Sequence, residues 1–125
     1  MMEPLVSIRF SDNRRCFRPG ETFDFDCQLD AVEQSDLQAV ELSVLWYTEG
    51  KGDEDMGVHY FERRKDTGET DLRELYRVST KLPLSPLSYD GKIVKIRWCA
   101  RVRCFLKKGR EIHQDLCFQL QASEE

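Results

Sequence analysis

Few side chains in this sequence are of a type that does chemistry: two histidines, five cysteines, one acidic knot and one basic stripe. A general base needs a reacting group and an orienting partner within hydrogen-bond reach. His59 falls in a glycine-rich, charged region, and His113 on the outward side of the last apolar alternation. No Gly-x-Ser-x-Gly accompanies either, so both read as incidental. The cysteines are Cys16, Cys27, Cys99, Cys104 and Cys117. Their number is odd and no two stand as Cys-x-x-Cys, which argues against zinc. Cys27, Trp46 and Cys99 or Cys104 match the immunoglobulin disulfide poorly, because Arg97 stands where its tyrosine would be. Free thiols are therefore expected. Arg97 and Arg101 flank Cys99 and would favour a thiolate, but a free cysteine more often packs as a small hydrophobe. Asp53, Glu54 and Asp55 lack the ligand spacing of a calcium loop and read as a solvated charge run. Gly50-x-Gly52 lacks the Rossmann surroundings, and no Walker loop occurs. No catalytic, metal or cofactor site is assigned, and the chain is read as not an enzyme.

Two surface features remain. Lys95, Arg97, Arg101 and Arg103 recur at even spacing, which on a strand places neighbours about 7 Å apart on one face. That stripe is a candidate anion or acidic-peptide face. The blander reading is a solvated face neutralised by Asp115 and by Asp24 or Asp26. Without interleaved exposed aromatics it is a poor nucleic-acid surface, as is a chain of net charge −4. The second feature is Val58-His59-Tyr60-Phe61, where apolar residues sit between polar loops. It is a candidate sheet edge, either one to which a partner strand adds or one tucked against the long loops beside it.

The elements that position these residues follow from alternation of period two. Val6, Ile8 and Phe10 mark a first strand. Phe23, Phe25, Cys27 and Leu29 mark a second, entered through an Arg18-Pro19-Gly20-Glu21 turn. Val40, Leu42, Val44 and Trp46 mark a third, with Leu45 and Tyr47 partly covered on its other face. Residues 58–62 form a short edge strand and 63–70 a polar loop. Residues 71–75 form a helical turn, and 75–82 is extended. Val94, Ile96, Trp98, Ala100, Val102 and Cys104 alternate with polar residues, as do Ile112, Leu116, Phe118 and Leu120. These two runs form a hairpin. Period two forbids a two-residue loop, since it would set core side chains opposite solvent ones. A three-residue loop, Lys107-Lys108-Gly109, puts the glycine where a left-handed residue is needed. It pairs Trp98 with Phe118, Ile96 with Leu120 and Arg101 with Asp115, and brings His113 to Arg103.

About seven strands in 125 residues predict an all-β, two-sheet antiparallel sandwich of immunoglobulin-like type. One domain spans 1–125, with a frayed tail at 122–125. At 40% hydrophobic and 34% charged, the composition is that of a folded, soluble chain. No apolar run nears the roughly 18 residues of a membrane span, and Met1-Met2-Glu3-Pro4 is unlike a secretory leader. A cytoplasmic location is expected.

Two segments resemble the arrestin-fold family. Phe17-Arg18-Pro19-Gly20-Glu21-Thr22-Phe23 resembles that family's aromatic-x-Pro-Gly-Glu strand opening. Leu82-Pro83-Leu84-Ser85-Pro86-Leu87-Ser88-Tyr89-Asp90-Gly91, leading to Trp98, resembles its Pro-Ser-aromatic-x-Gly turn and the long strand beyond. The resemblance implies one arrestin-type lobe where arrestins have two. There is no Pro-Pro-x-Tyr motif, and the family's buried polar core and phosphate sensor have no counterparts here. The function expected is a non-enzymatic protein-interaction or scaffolding module, with self-association left open. The alternative is a carbohydrate or small-ligand module, against which both Trp46 and Trp98 take inward positions.

Overall fold

The computed structural model describes residues 4–52, 54–66, 71–73 and 76–122. Among these, nine strands form: β1 (Leu5–Phe10), β2 (Cys16–Phe17), β3 (Thr22–Asp30), β4 (Leu37–Gly50), β5 (Met56–Lys65), β6 (Tyr76–Lys81), β7 (Tyr89–Asp90), β8 (Val94–Leu106) and β9 (Glu111–Leu120). They make a small sheet, β1-β3-β6, and a larger one, β2-β9-β8-β4-β5, with β7 against β8. All pairs are antiparallel except β2 with β9. This is the predicted all-β sandwich. The two strands beyond the expected seven, β2 and β7, are two residues each.

Alternation explains the layering. On β3, Phe23, Phe25, Cys27 and Leu29 are buried while Thr22 and Gln28 are exposed. On β4 and β8, Val40, Leu42, Val44, Trp98, Ala100, Val102 and Cys104 join the same core. Aromatic rings fasten the two sheets. Phe23 meets Phe17 at 4.9 Å, Phe10 at 5.1 Å and Phe118 at 4.5 Å between centroids. Trp98 is also buried, and its indole N–H donates to Pro86 O at 2.8 Å, so the ring's one polar group is satisfied. Trp46 faces inward but is only partly buried. Gly57 lies beneath it: a Cβ there would stand 2.2 Å from the indole nitrogen.

The hairpin turns through Lys107–Gly109 as expected, with Gly109 at φ 73° and Lys108 also left-handed at φ 66°. Trp98 faces Phe118, Arg101 faces Asp115 and Arg103 faces His113. The expected pairing of Ile96 with Leu120 does not form. Beyond Trp98, strand β8 exchanges β9 for β7, setting Ile96 against Tyr89. Ser88 holds Leu120 instead, donating its N–H to the Leu120 carbonyl and accepting the Leu120 N–H on Oγ, both at 2.8 Å.

Two further expectations are corrected. The edge strand does not stop at Glu62; β5 runs on through Arg63, Arg64 and Lys65, each paired in register with β4. Asp24 and Asp26 do not neutralise the basic stripe, because β3 belongs to the other sheet. Asp26 lies instead between Arg9 (3.7 Å) and Arg77 (3.6 Å), on the neighbouring strands β1 and β6. Of the predicted helical turn, residues 71–73 form a turn in which Asp71 binds Arg73; Glu74 and Leu75 lie outside the described residues. So do Asp53 of the acidic knot, residues 67–70 of the predicted loop, and 123–125 of the tail.

Candidate functional site

Strand β5 borders the larger sheet, and among the described residues only β4 pairs with it. Its register with β4 slips by one residue: Val44 faces Tyr60, yet Leu45 faces Val58. His59 is therefore the extra residue of a β-bulge, a device common at sheet edges. The bulge reorders the side chains. Val58 and Phe61 turn outward, whereas Tyr60 packs against the core and His59 turns toward the small sheet. The imidazole Nε2 of His59 lies 2.8 Å from the Lys81 carbonyl and 3.2 Å from Thr80 Oγ1, at the end of β6. Since a carbonyl only accepts, Nε2 carries the proton. His59 thus ties the borders of the two sheets together, a structural role absent from the sequence reading.

Outside the bulge, Met56, Val58 and Phe61 are exposed at 56%, 52% and 56%. All three stand on the outer face, level with Tyr47, Leu45 and Ser43 of β4. Leu45 and Ser43 are buried there despite facing away from the core. An apolar lip therefore runs along this border.

Inward of the lip, Tyr60, Glu62 and Arg64 form a linked set. The Tyr60 hydroxyl donates to Glu62 at 2.6 Å, Arg64 pairs with the same carboxylate, and the Arg64 guanidinium lies 4.5 Å from the centre of the Tyr76 ring. The Tyr60 hydroxyl and then Arg64 hold the Glu62 carboxyl below its ordinary 4.5, while the same hydrogen bond raises the Tyr60 phenol. A depressed carboxylate stabilises the fold above its unfolded value, and that contribution is lost as pH falls through the folded value. Thermal stability should therefore decline below about pH 4.5. Glu62→Gln should flatten part of that decline in melting curves recorded between pH 7 and pH 3.

The basic stripe lies on the same outer face, and each member has a carboxylate partner. Lys95 is 3.4 Å from Asp90, Arg97 2.9 Å from Glu49, and Arg103 2.6 Å from Glu111 and 3.6 Å from Glu41. Arg101 grips Asp115 through two bonds of 2.9 and 3.1 Å. Glu41 also takes Arg63 of β5, and Arg63 and Arg103 flank the Phe105 ring at 5.0 and 5.1 Å. The carboxylates raise the Arg97, Arg101 and Arg103 guanidinium values further. The stripe is thus a ladder of exchanged charge, in which the exposed pairs, screened by water, add little to stability.

All five thiols are free. Cys27 and Cys104 lie in the core, and burial pushes both to about 12. Cys99 is on the outer face yet fully buried, and desolvation pushes it to about 12 as well. Arg101 pulls the other way but loses. The thiolate that flanking arginines would favour is therefore not what the structure provides. Cys16 and Cys117 are half-buried, with Cys16 Sγ 3.2 Å from Gln121 Oε1 and Cys117 Sγ 3.9 Å from the Tyr47 hydroxyl.

Among the described residues no helix is long and apolar enough to cross a membrane. No protein-family model matches the sequence, and no curated protein matches it significantly. The fold itself has counterparts among solved structures. One is the sporulation control protein Spo0M from Bacillus subtilis, with a TM-score of 0.64 at 11% identity over 98% of this chain. This chain spans about half (51%) of that protein's length. At such identity the likeness is one of fold, and the fold is that of an arrestin-like neighbour.

Proposed function

We propose that the protein is a non-enzymatic interaction module, a single arrestin-type lobe that takes an extended segment of a partner protein along β5. The observation that carries this reading is the side of β5 away from β4, which no strand pairs among the described residues, together with its lip of Met56, Val58 and Phe61. From Tyr60 to Lys65 the strand is regular, with successive residues facing β4 without a slip. Main-chain groups on its open side supply hydrogen bonds to an added strand, and outward side chains supply selectivity. The bulge and the His59 contact fix the angle at which this run is presented. They also shield the remainder of the border, as edges of soluble sheets generally are shielded. With Arg63 already engaged by Glu41, exposed Lys65 on the outer face favours a foreign segment bearing an acidic residue at that end of the strand.

The test is a Phe61→Lys variant compared with the parent chain in pull-downs from native lysate, with melting temperature as control. Phe61 is exposed, so the fold should be unchanged to within about 0.5 kcal/mol. Partners held at β5 should fall at least tenfold in recovery. Recovery of every partner at parental level by a stably folded Phe61→Lys, and likewise by Val58→Lys, would refute the assignment.

A further inference from the structure

The unbroken register of β8 with β9 sets Cys99 directly opposite Cys117. The kind of pair they form can be worked out from the turn. Leu106 donates its N–H to Arg110 O at 2.8 Å, so residues 106 and 110 are a hydrogen-bonded pair. Hydrogen-bonded and non-hydrogen-bonded pairs alternate along an antiparallel ladder. Counting down, Cys104–Ile112, Val102–Gln114, Ala100–Leu116 and Trp98–Phe118 are hydrogen-bonded, which leaves Cys99–Cys117 as a non-hydrogen-bonded pair. Such pairs bring Cα atoms to about 4.5 Å and side chains closest together. That separation lies inside the roughly 4.4–6.8 Å range a disulfide spans. Both side chains stand on the same outer face. The two thiols differ in access: Cys117 is half-buried, and Cys99 lies wholly beneath the surface.

We propose that Cys99 and Cys117 form a dithiol redox site in which Cys117 takes up a small-molecule disulfide and Cys99 resolves the adduct into a cross-strand disulfide. In the first step the Cys117 thiolate attacks one sulfur of the disulfide RSSR. A Cys117–S–S–R bond forms and RS⁻ leaves. In the second step the Cys99 thiolate attacks the Cys117 sulfur, forming the Cys99–Cys117 bond and expelling the second RS⁻. The two protons lost by the cysteines end on the two RS⁻ groups. Two electrons have passed from the protein dithiol to RSSR, which is reduced to two RSH. The second step is the slow one, because burial keeps Cys99 protonated and the thiolate is the attacking form. The site is independent of the β5 proposal.

The experiment incubates the full folded chain with excess oxidised glutathione, blocks remaining thiols and maps tryptic peptides by mass spectrometry. The expected product joins the peptide of residues 98–101 to that of residues 111–125 and is two hydrogens lighter than its parts. Cys117→Ser should abolish both the glutathione adduct and the link. Cys99→Ala should leave glutathione on Cys117 without closure, and Cys16→Ser should change neither. Closure in the parent chain should accelerate about tenfold per pH unit between pH 7 and pH 9, as the thiolate fraction of a thiol near 12 does. A different cysteine pair, a Cys117 adduct that stays unresolved at pH 9, or a Cys117 that takes up no glutathione would each overturn the proposal. Because the peptide map of the parent chain decides among these, a variant that fails to fold does not blunt the test.

Discussion

Phe23→Ala should destabilise the fold by about 3–5 kcal/mol, the cost of emptying a large aromatic site in a closely packed core. Phe23 is completely buried and touches the rings of Phe10, Phe17, Phe25 and Phe118. These come from β1, β2, β3 and β9, so the vacated space lies between the sheets, where both must move to fill it. Edge-to-face contacts at 4.9 and 5.1 Å add about 0.5–1.5 kcal/mol per pair beyond area burial. Domains of this size are commonly stable by about 5–15 kcal/mol, so the variant should keep only part of its margin. Urea denaturation should show a much lower midpoint with an unchanged slope, since the surface exposed on unfolding is the same. A shift below about 1 kcal/mol would mean that the cluster is not the joint between the layers.

Gly50→Ala should cost about 2–4 kcal/mol, combining backbone strain with overpacking. Gly50 ends β4 at φ 134°, a conformation that side chains resist, and an added Cβ would fall 2.1 Å from the Ile93 carbonyl oxygen. That oxygen is backbone and cannot swing aside as a flexible side chain would. It also accepts the Lys51 N–H at 3.1 Å, so relieving the clash breaks a hydrogen bond at the mouth of the β4–β8 ladder. The damage should be local at first. Amide exchange should quicken around residues 48–52 and 93–96, while the Phe23 region keeps its protection until global unfolding.

Where both faces of a strand differ in polarity, the residues alone revealed the structure. The hairpin is the clearest instance: alternation fixed which side of β8 and β9 is buried, and Gly109 fixed the loop, so Trp98 and Phe118 met as expected. The same logic cannot reach a strand of two residues, which has no period, and so β2 and β7 were not foreseen. Nor could it reach the second half of β5. There Glu62 and Arg64 line the inner side while Arg63 and Lys65 line the outer, and a border strand that is polar on both sides reads as loop. The bulge at His59 is hidden for a related reason, because an inserted residue merely looks like broken alternation.

The candidate sites show the same division. Placing Lys95, Arg97, Arg101 and Arg103 on one face needed only β8 itself. Finding their carboxylates needed the neighbours, for Glu41 and Glu49 come from β4 and Asp90 from β7. The sheet to which β3 belongs was likewise beyond alternation, and with it the true partners of Asp26. Of Val58-His59-Tyr60-Phe61, only Tyr60 packs against the core while the other three are exposed, and the turn of His59 toward Lys81 and Thr80 follows from the bulge.

The parallel seam between Cys16–Phe17 and Gln119–Leu120 carries an implication for biosynthesis. On the ribosome the chain emerges in order, and Phe10, Phe17 and Phe23 must wait for Phe118 before their pocket can shut. Until β9 is delivered, a cluster of sticky rings and an unfinished sheet border are open to other nascent chains. Long-range closure of this kind also slows folding. The protein should therefore rely on holding chaperones during translation more than a helical chain of equal length, whose contacts form as it appears.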